Sequence, residues 1–209
     1  MSTVAVIDYG MGNLHSVRKA LQAADPSVEV IVTDKAGSIR AADRVVFPGV
    51  GALQDCINAL GSRGLDQVIT EVAERKPLLG ICLGMQALLD FSEENGGTVG
   101  LAIISGQVKR FRASEPAQKI PHMGWNEVKQ TYAHPLWRDI PDVARFYFVH
   151  SYYAAPLMPE DVVGRTAYGN DFASALARGK VFGVQFHPEK SQKHGIQLLK
   201  NFLSWNGDV

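Results

Sequence analysis

Short apolar runs without polar interruption recur through the first half of the chain, each followed by a segment of helical period. Val4 to Ile7 and Leu78 to Ile81 are such runs, and Val28 to Val32 and Arg44 to Phe47, which carry Glu29 and Arg44, are read as further strands. A strand with no polar face is covered on both sides, which is the situation of strands in a parallel sheet. Between them, Leu14, Val17 and Leu21 fall at helical spacing, with Asn13 placed as N-cap and Pro26 closing the segment. Leu53 to Leu60 and Leu65 to Glu74 read as helices separated by Gly61 and Gly64, and a further helix is expected from Leu83 to about Phe91. The alternation predicts an α/β fold with a mostly parallel central sheet flanked by helices.

The C-terminal half reads differently. Strand-like pieces at Ile103 to Phe111, Arg145 to Val149, Val162 to Tyr168 and Val181 to Phe186 are broken by Gly and Pro, which suggests added antiparallel strands. A last helix is expected from about Gln192 to Trp205, with Ile196, Leu199 and Leu203 on one face. No repeat, linker or low-complexity stretch divides the chain, so residues 1–209 are expected to form a single domain.

Composition excludes some functions. Lys+Arg and Asp+Glu balance at 21 each, so there is no bulk charge to draw the chain to nucleic acid or an anionic membrane. No stretch approaches the ~20 apolar residues that span a bilayer. The N-terminus lacks the basic segment and apolar run of a signal peptide. The only cysteines are Cys56 and Cys82, read as free thiols in a reducing compartment, and the expected location is cytoplasmic.

Gly80-Ile81-Cys82-Leu83-Gly84 is the sharpest local feature: a nucleophile between glycines where a strand turns directly into a helix. Such a turn lifts the side chain above the sheet edge and needs glycine where backbone approaches closely. The helix start turns its N–H groups towards the sulfur and favours the thiolate. An inert buried cysteine at a strand end is the plainer reading; Cys56, mid-helix among Leu53, Ile57 and Leu60, is read as packing.

A base is offered by Gln185-Phe186-His187-Pro188-Glu189. Pro188 biases His187 towards extended geometry, in which residues two apart share a side, so Glu189 can steady the imidazole. Taken alone this is a lone His and a solvated Glu; the pairing with the cysteine turn is what suggests chemistry. For an oxyanion, Leu83 N–H is one donor, and the peptides of Gly49, Val50 and Gly51, at the carboxyl end of a parallel strand, are others. The Gly10-Met11-Gly12-Asn13 turn lacks the third glycine of a dinucleotide fingerprint. No strong metal-ligand spacing occurs among the histidines and carboxylates, and neither metal nor cofactor is expected.

Gly-Ile-Cys-Leu-Gly-Met-Gln at residues 80–86 and Gln-Phe-His-Pro-Glu-Lys-Ser at residues 185–191 resemble the class I, triad-type glutamine amidotransferases, over essentially the whole chain. Ile7 to Asn13, Phe47 to Gly51, Pro121 to Asn126 and Phe148 to Tyr152 resemble one branch of that family, the glutaminase subunits of histidine biosynthesis. The resemblance implies hydrolysis of glutamine by Cys82, His187 and Glu189, with Gln86, Glu94, Ser151 and Tyr152 holding the amino acid end of the substrate. It further implies a heterodimer with a cyclase (synthase) subunit, a β/α barrel, to which ammonia is channelled. Asn13, His122, Met123, Trp125 and Asn126 would face that partner; core packing is the plainer reading of Trp125. Arg178 to Val181 departs from the family pattern, where an Asn often stands, and bears on a turn rather than on the chemistry. A class I subunit feeding a different synthase, a non-catalytic binding domain of the same fold and a cysteine peptidase of similar fold remain as alternatives.

Overall fold

The computed structural model describes residues 2–113 and 119–208. In chain order the elements are β1 (Thr3–Ile7), α1 (Leu14–Ala24), β2 (Glu29–Thr33), α2 (Ala36–Ala41), β3 (Arg44–Gly49), α3 (Leu53–Gly61), α4 (Leu65–Arg75), β4 (Leu78–Cys82), α5 (Leu83–Ala87), β5 (Phe91–Ser92) and β6 (Thr98–Val99). They continue with β7 (Gly106–Arg110), β8 (His122–Gln130), β9 (Ala144–His150), β10 (Tyr152–Pro156), β11 (Val162–Tyr168), β12 (Asn170–Arg178), β13 (Val181–Val184) and α6 (Gln192–Ser204).

The apolar runs become the parallel core of the sheet, in the order β2-β1-β3-β4-β13. Successive side chains on a strand point to opposite faces. Accordingly Val4 and Val6 pack with Val17 and Leu21 of α1 and Leu199 and Phe202 of α6, whereas Ala5 and Ile7 pack with Leu53, Leu60, Val68 and Val72 of α3 and α4. Two cores, one on each side of the sheet, explain why the central strands β1 and β4 carry no polar face. Beyond β13 the pairing turns antiparallel through β12 and β10, and β11, β8 and β9 extend it as a second wing. The mostly parallel sheet with antiparallel additions is the expected fold.

Several boundaries differ. The helix expected to reach Phe91 stops at Ala87, because the carbonyls of Ala87, Leu88 and Leu89 accept N–H groups from residues 101–104 and not from the next helical turn. Phe91 instead lies in β5. Asn13 stands at the N-cap of α1, yet its side chain makes no capping bond. Helix α2 and strands β8, β10 and β12 were not anticipated. Among the described residues, no helix is long and apolar enough to cross a membrane.

Candidate active site

Because β3, β4 and β13 run parallel, their carboxyl ends meet at one edge. Gly49 pairs with Cys82, and Val184 with Ile81, so the segment after β13 emerges beside the end of β4. Cys82 has φ +54 and ψ −109, a region that residues with a Cβ rarely occupy. Close packing holds it there. Gly84, two residues on, lies against the Phe47 carbonyl, and a methyl group at that position would collide with its oxygen. The strained strand-to-helix turn expected from the sequence is present.

The chain after β13 brings His187 and Glu189 to the same edge. His187 Nδ1 lies 2.8 Å from Glu189 Oε1, with both side chains at 2% exposure or less. The route differs from the expected extended segment: His187 is extended, but Pro188 starts a short 3-10 turn through Lys190 that carries Glu189 back to the ring. Burial works against charge on the His187 ring, yet the neighbouring Cys82 and Glu189 outweigh it and push its pKa up to about 10. Nε2, the nitrogen away from Glu189, has no hydrogen-bond partner among the described residues, although it is buried.

A cleft of about 350 Å³ opens over these groups, lined among others by Cys82, His187, Leu83, Gln86, Glu94, Ser151 and Tyr152. That volume suits a ligand of amino-acid size. Val50 and Gly51 line it too, while Gly49 sits just behind, buried in β3. Leu83 is the first residue of α5, so its N–H has no intrahelical partner. Gln86 Nε2 donates to the Tyr152 carbonyl and to Gln185 Oε1, each at 2.9 Å, and a Glu94 oxygen accepts the Leu53 N–H at 2.7 Å.

The residues expected on a partner face separate. Met123 and Trp125 are exposed, and Asn13 is half-buried. His122 is only 3% exposed and turns inward, because it opposes His150 across the β8–β9 ladder. Asn126 directs its amide to His122 and to the Ala167 carbonyl. Gln185 was missed as a site residue: it is fully buried and its Nε2 donates to Cys82 Sγ at 3.6 Å. An amide between Val184 and Phe186 in an apolar strand was the available signal, since a buried amide needs partners.

A buried imidazole held by a carboxylate beside a cysteine on a strained turn can support acyl transfer through a thioester. The chain belongs to the class-I glutamine amidotransferase family, whose model matches residues 5–205. Within it, the chain belongs with the HisH subunits of imidazole glycerol phosphate synthase. The HisH subunit of Pseudomonas putida is 58% identical over 211 residues, 99% of either chain. That of Methylococcus capsulatus is 60% identical over 212 residues, covering 98% of this chain and 97% of its own. Solved structures share the fold at lower identity. PurLQS from Thermotoga maritima superposes with a TM-score of 0.74 at 18% identity, over 97% of each chain, and a structure described as a glutamine amidotransferase with 0.73 at 17%, over 96% of each.

Proposed function

We propose that this chain, acting as one domain over residues 1–209, is the glutaminase subunit of an imidazole glycerol phosphate synthase. Cys82 Sγ attacks the side-chain carbonyl carbon of glutamine. Leu83 N–H and the peptides of Gly49 to Gly51 receive the oxyanion, and removal of one such donor raises the barrier by about 3–4 kcal/mol. His187, oriented by Glu189, protonates the departing ammonia, then takes a proton from the water that opens the thioester and releases glutamate. Gln86, Glu94, Ser151 and Tyr152 hold the amino acid end of the substrate. Cys82 and His187 facing one cleft, with Glu189 paired to His187 behind it, carry this reading, and the HisH relatives support the choice of synthase.

Ammonia in water at neutral pH is mostly protonated and no longer a nucleophile, so this reading includes transfer to a cyclase subunit, a β/α barrel, in a cytoplasmic heterodimer. Asn13, Met123, Trp125 and Asn126, with His122 beneath them, form the partner face. The test is glutamine turnover with and without the cyclase and its substrate. Turnover should rise sharply in the full complex and vanish with Cys82→Ala. Equal rates with and without the partner would remove the coupling.

A further inference from the structure

A hydrogen-bonded line runs from the exposed face of β8 to the sulfur of Cys82, and each of its groups has only one orientation that satisfies its neighbours. Asn126 Oδ1 accepts the Glu127 N–H at 2.8 Å, while Nδ2 donates to the Ala167 carbonyl at 2.9 Å. The amide is therefore fixed, and Nδ2 also faces His122 Nε2 at 3.2 Å. His122 Nδ1 lies 2.9 Å from His150 Nε2, and His150 Nδ1 lies 2.8 Å from the Tyr152 carbonyl.

A carbonyl can only accept, so His150 carries its proton on Nδ1. Burial keeps both rings neutral, with the His122 pKa drawn down to about 4 and that of His150 to about 3. His150 Nε2 is then an acceptor, and His122 must carry its proton on Nδ1. The assignment from the Tyr152 end agrees with the one from the Asn126 end.

The Tyr152 carbonyl also accepts from Gln86 Nε2, which fixes that amide's direction. Gln86 Nε2 faces Gln185 Oε1, which leaves Gln185 Nε2 pointed at Cys82 Sγ. A donor aimed at sulfur favours its charged form over the thiol.

We propose that Gln185 is a positioning residue for the Cys82 sulfur, and that Asn126, through His122 and His150, anchors the Tyr152 carbonyl on which its orientation depends. The proposal rests on Cys82 being the nucleophile of the glutaminase reading and adds the groups that hold it ready. The other titratable groups near the sulfur are His187 with Glu189, Tyr9 with Cys56 behind it, and Glu94 and Lys190 in the cleft. None of these is changed by substituting Gln185.

The experiment is alkylation of Cys82 by iodoacetamide across pH, with the modified peptide identified by mass, on the intact chain. It reads the sulfur itself and stays informative even if the chain hydrolyses no glutamine. Gln185→Met keeps the length and removes the donor; alkylation should slow about tenfold. His150→Asn keeps a donor where Nδ1 stands and should retain the wild-type rate, whereas His150→Leu should slow alkylation. In the holoenzyme, Gln185→Met should lower kcat with KM little changed. Thermal unfolding of each variant separates loss of fold from loss of reactivity. An unchanged alkylation profile in folded Gln185→Met would overturn the assignment of Gln185; equal behaviour of the two His150 variants would overturn the anchor.

Discussion

The His187 imidazole and the Glu189 carboxylate meet at 2.8 Å in a position almost sealed from water. With burial opposing charge on the ring and Cys82 and Glu189 favouring it, the raised His187 pKa of about 10 depends on keeping the carboxylate. Glutamine hydrolysis by the complex should hold steady from about pH 7 to 9 and fall as His187 loses its proton near the alkaline end. Glu189→Gln keeps the size but removes the charge. It should lower kcat/KM by on the order of 10²–10⁴ and bring the alkaline fall at least about one unit earlier. A rate loss with an unmoved alkaline limb would mean that Glu189 only fills space.

The strained turn at Cys82 exists because Gly84 fits under the Phe47 carbonyl. Gly84→Ala forces that backbone apart, and overpacking of this kind typically costs about 1–3 kcal/mol. Urea unfolding should show the loss. Because Cys82 shares the same turn, its alkylation should also change in the folded fraction, which a remote destabilisation would not produce. Full stability in Gly84→Ala would show that the strand-to-helix junction has slack.

What the sequence made legible was whatever depends on local pattern. Val4 to Ile7 and Leu78 to Ile81 announce strands covered on both faces, and Cys82 between two glycines announces the elbow. Strand β12 was hidden because Ala173, Ser174, Ala175 and Ala177 have little strand preference of their own; they are extended because β13 and β11 pair on either side. Helix α5 ended early for a related reason: residues 101–104 take its carbonyls, and nothing local signals their return. His187 and Glu189 were found through their spacing. Gln185 and the His122–His150 pair were not, because their roles come from a cross-strand register and a hydrogen-bond line that join distant segments.

Four buried histidines predict where stability peaks. Burial draws His122 and His134 down to about 4 and His150 to about 3, against an ordinary value of 6.5. Between those limits the unfolded chain binds more protons than the folded one, so their contribution is present above 6.5 and lost as pH falls through 4. Each adds a slope of up to ~1.4 kcal/mol per pH unit. His187 has the opposite sign. Its contribution is fully present below 6.5 and lost as pH rises through about 10. Urea unfolding at a series of pH values should show a maximum near pH 6.5, with the acid side falling more steeply because three groups act there against one. A maximum displaced well above pH 8 would contradict the neutral, buried state of the three rings.

Arg178, the last residue of β12, is held by a buried carboxylate. Its Nε and Nη2 reach Asp161 Oδ1 and Oδ2 at 3.0 and 2.6 Å, a two-point contact between the end of β12 and the turn before β11. The Asp161 side chain is 6% exposed, but that of Arg178 is 37% exposed, so water screens part of the attraction. Asp161→Ala should cost about 1–2 kcal/mol in urea unfolding. Combined with Arg178→Met, the loss should be less than the sum of the two single losses, since either change already breaks the same pair. The pair lies at the end of β12 away from the Gln185 contact, so Cys82 alkylation should not move. Additive losses would show that Asp161 and Arg178 contribute separately and that the turn does not depend on their contact.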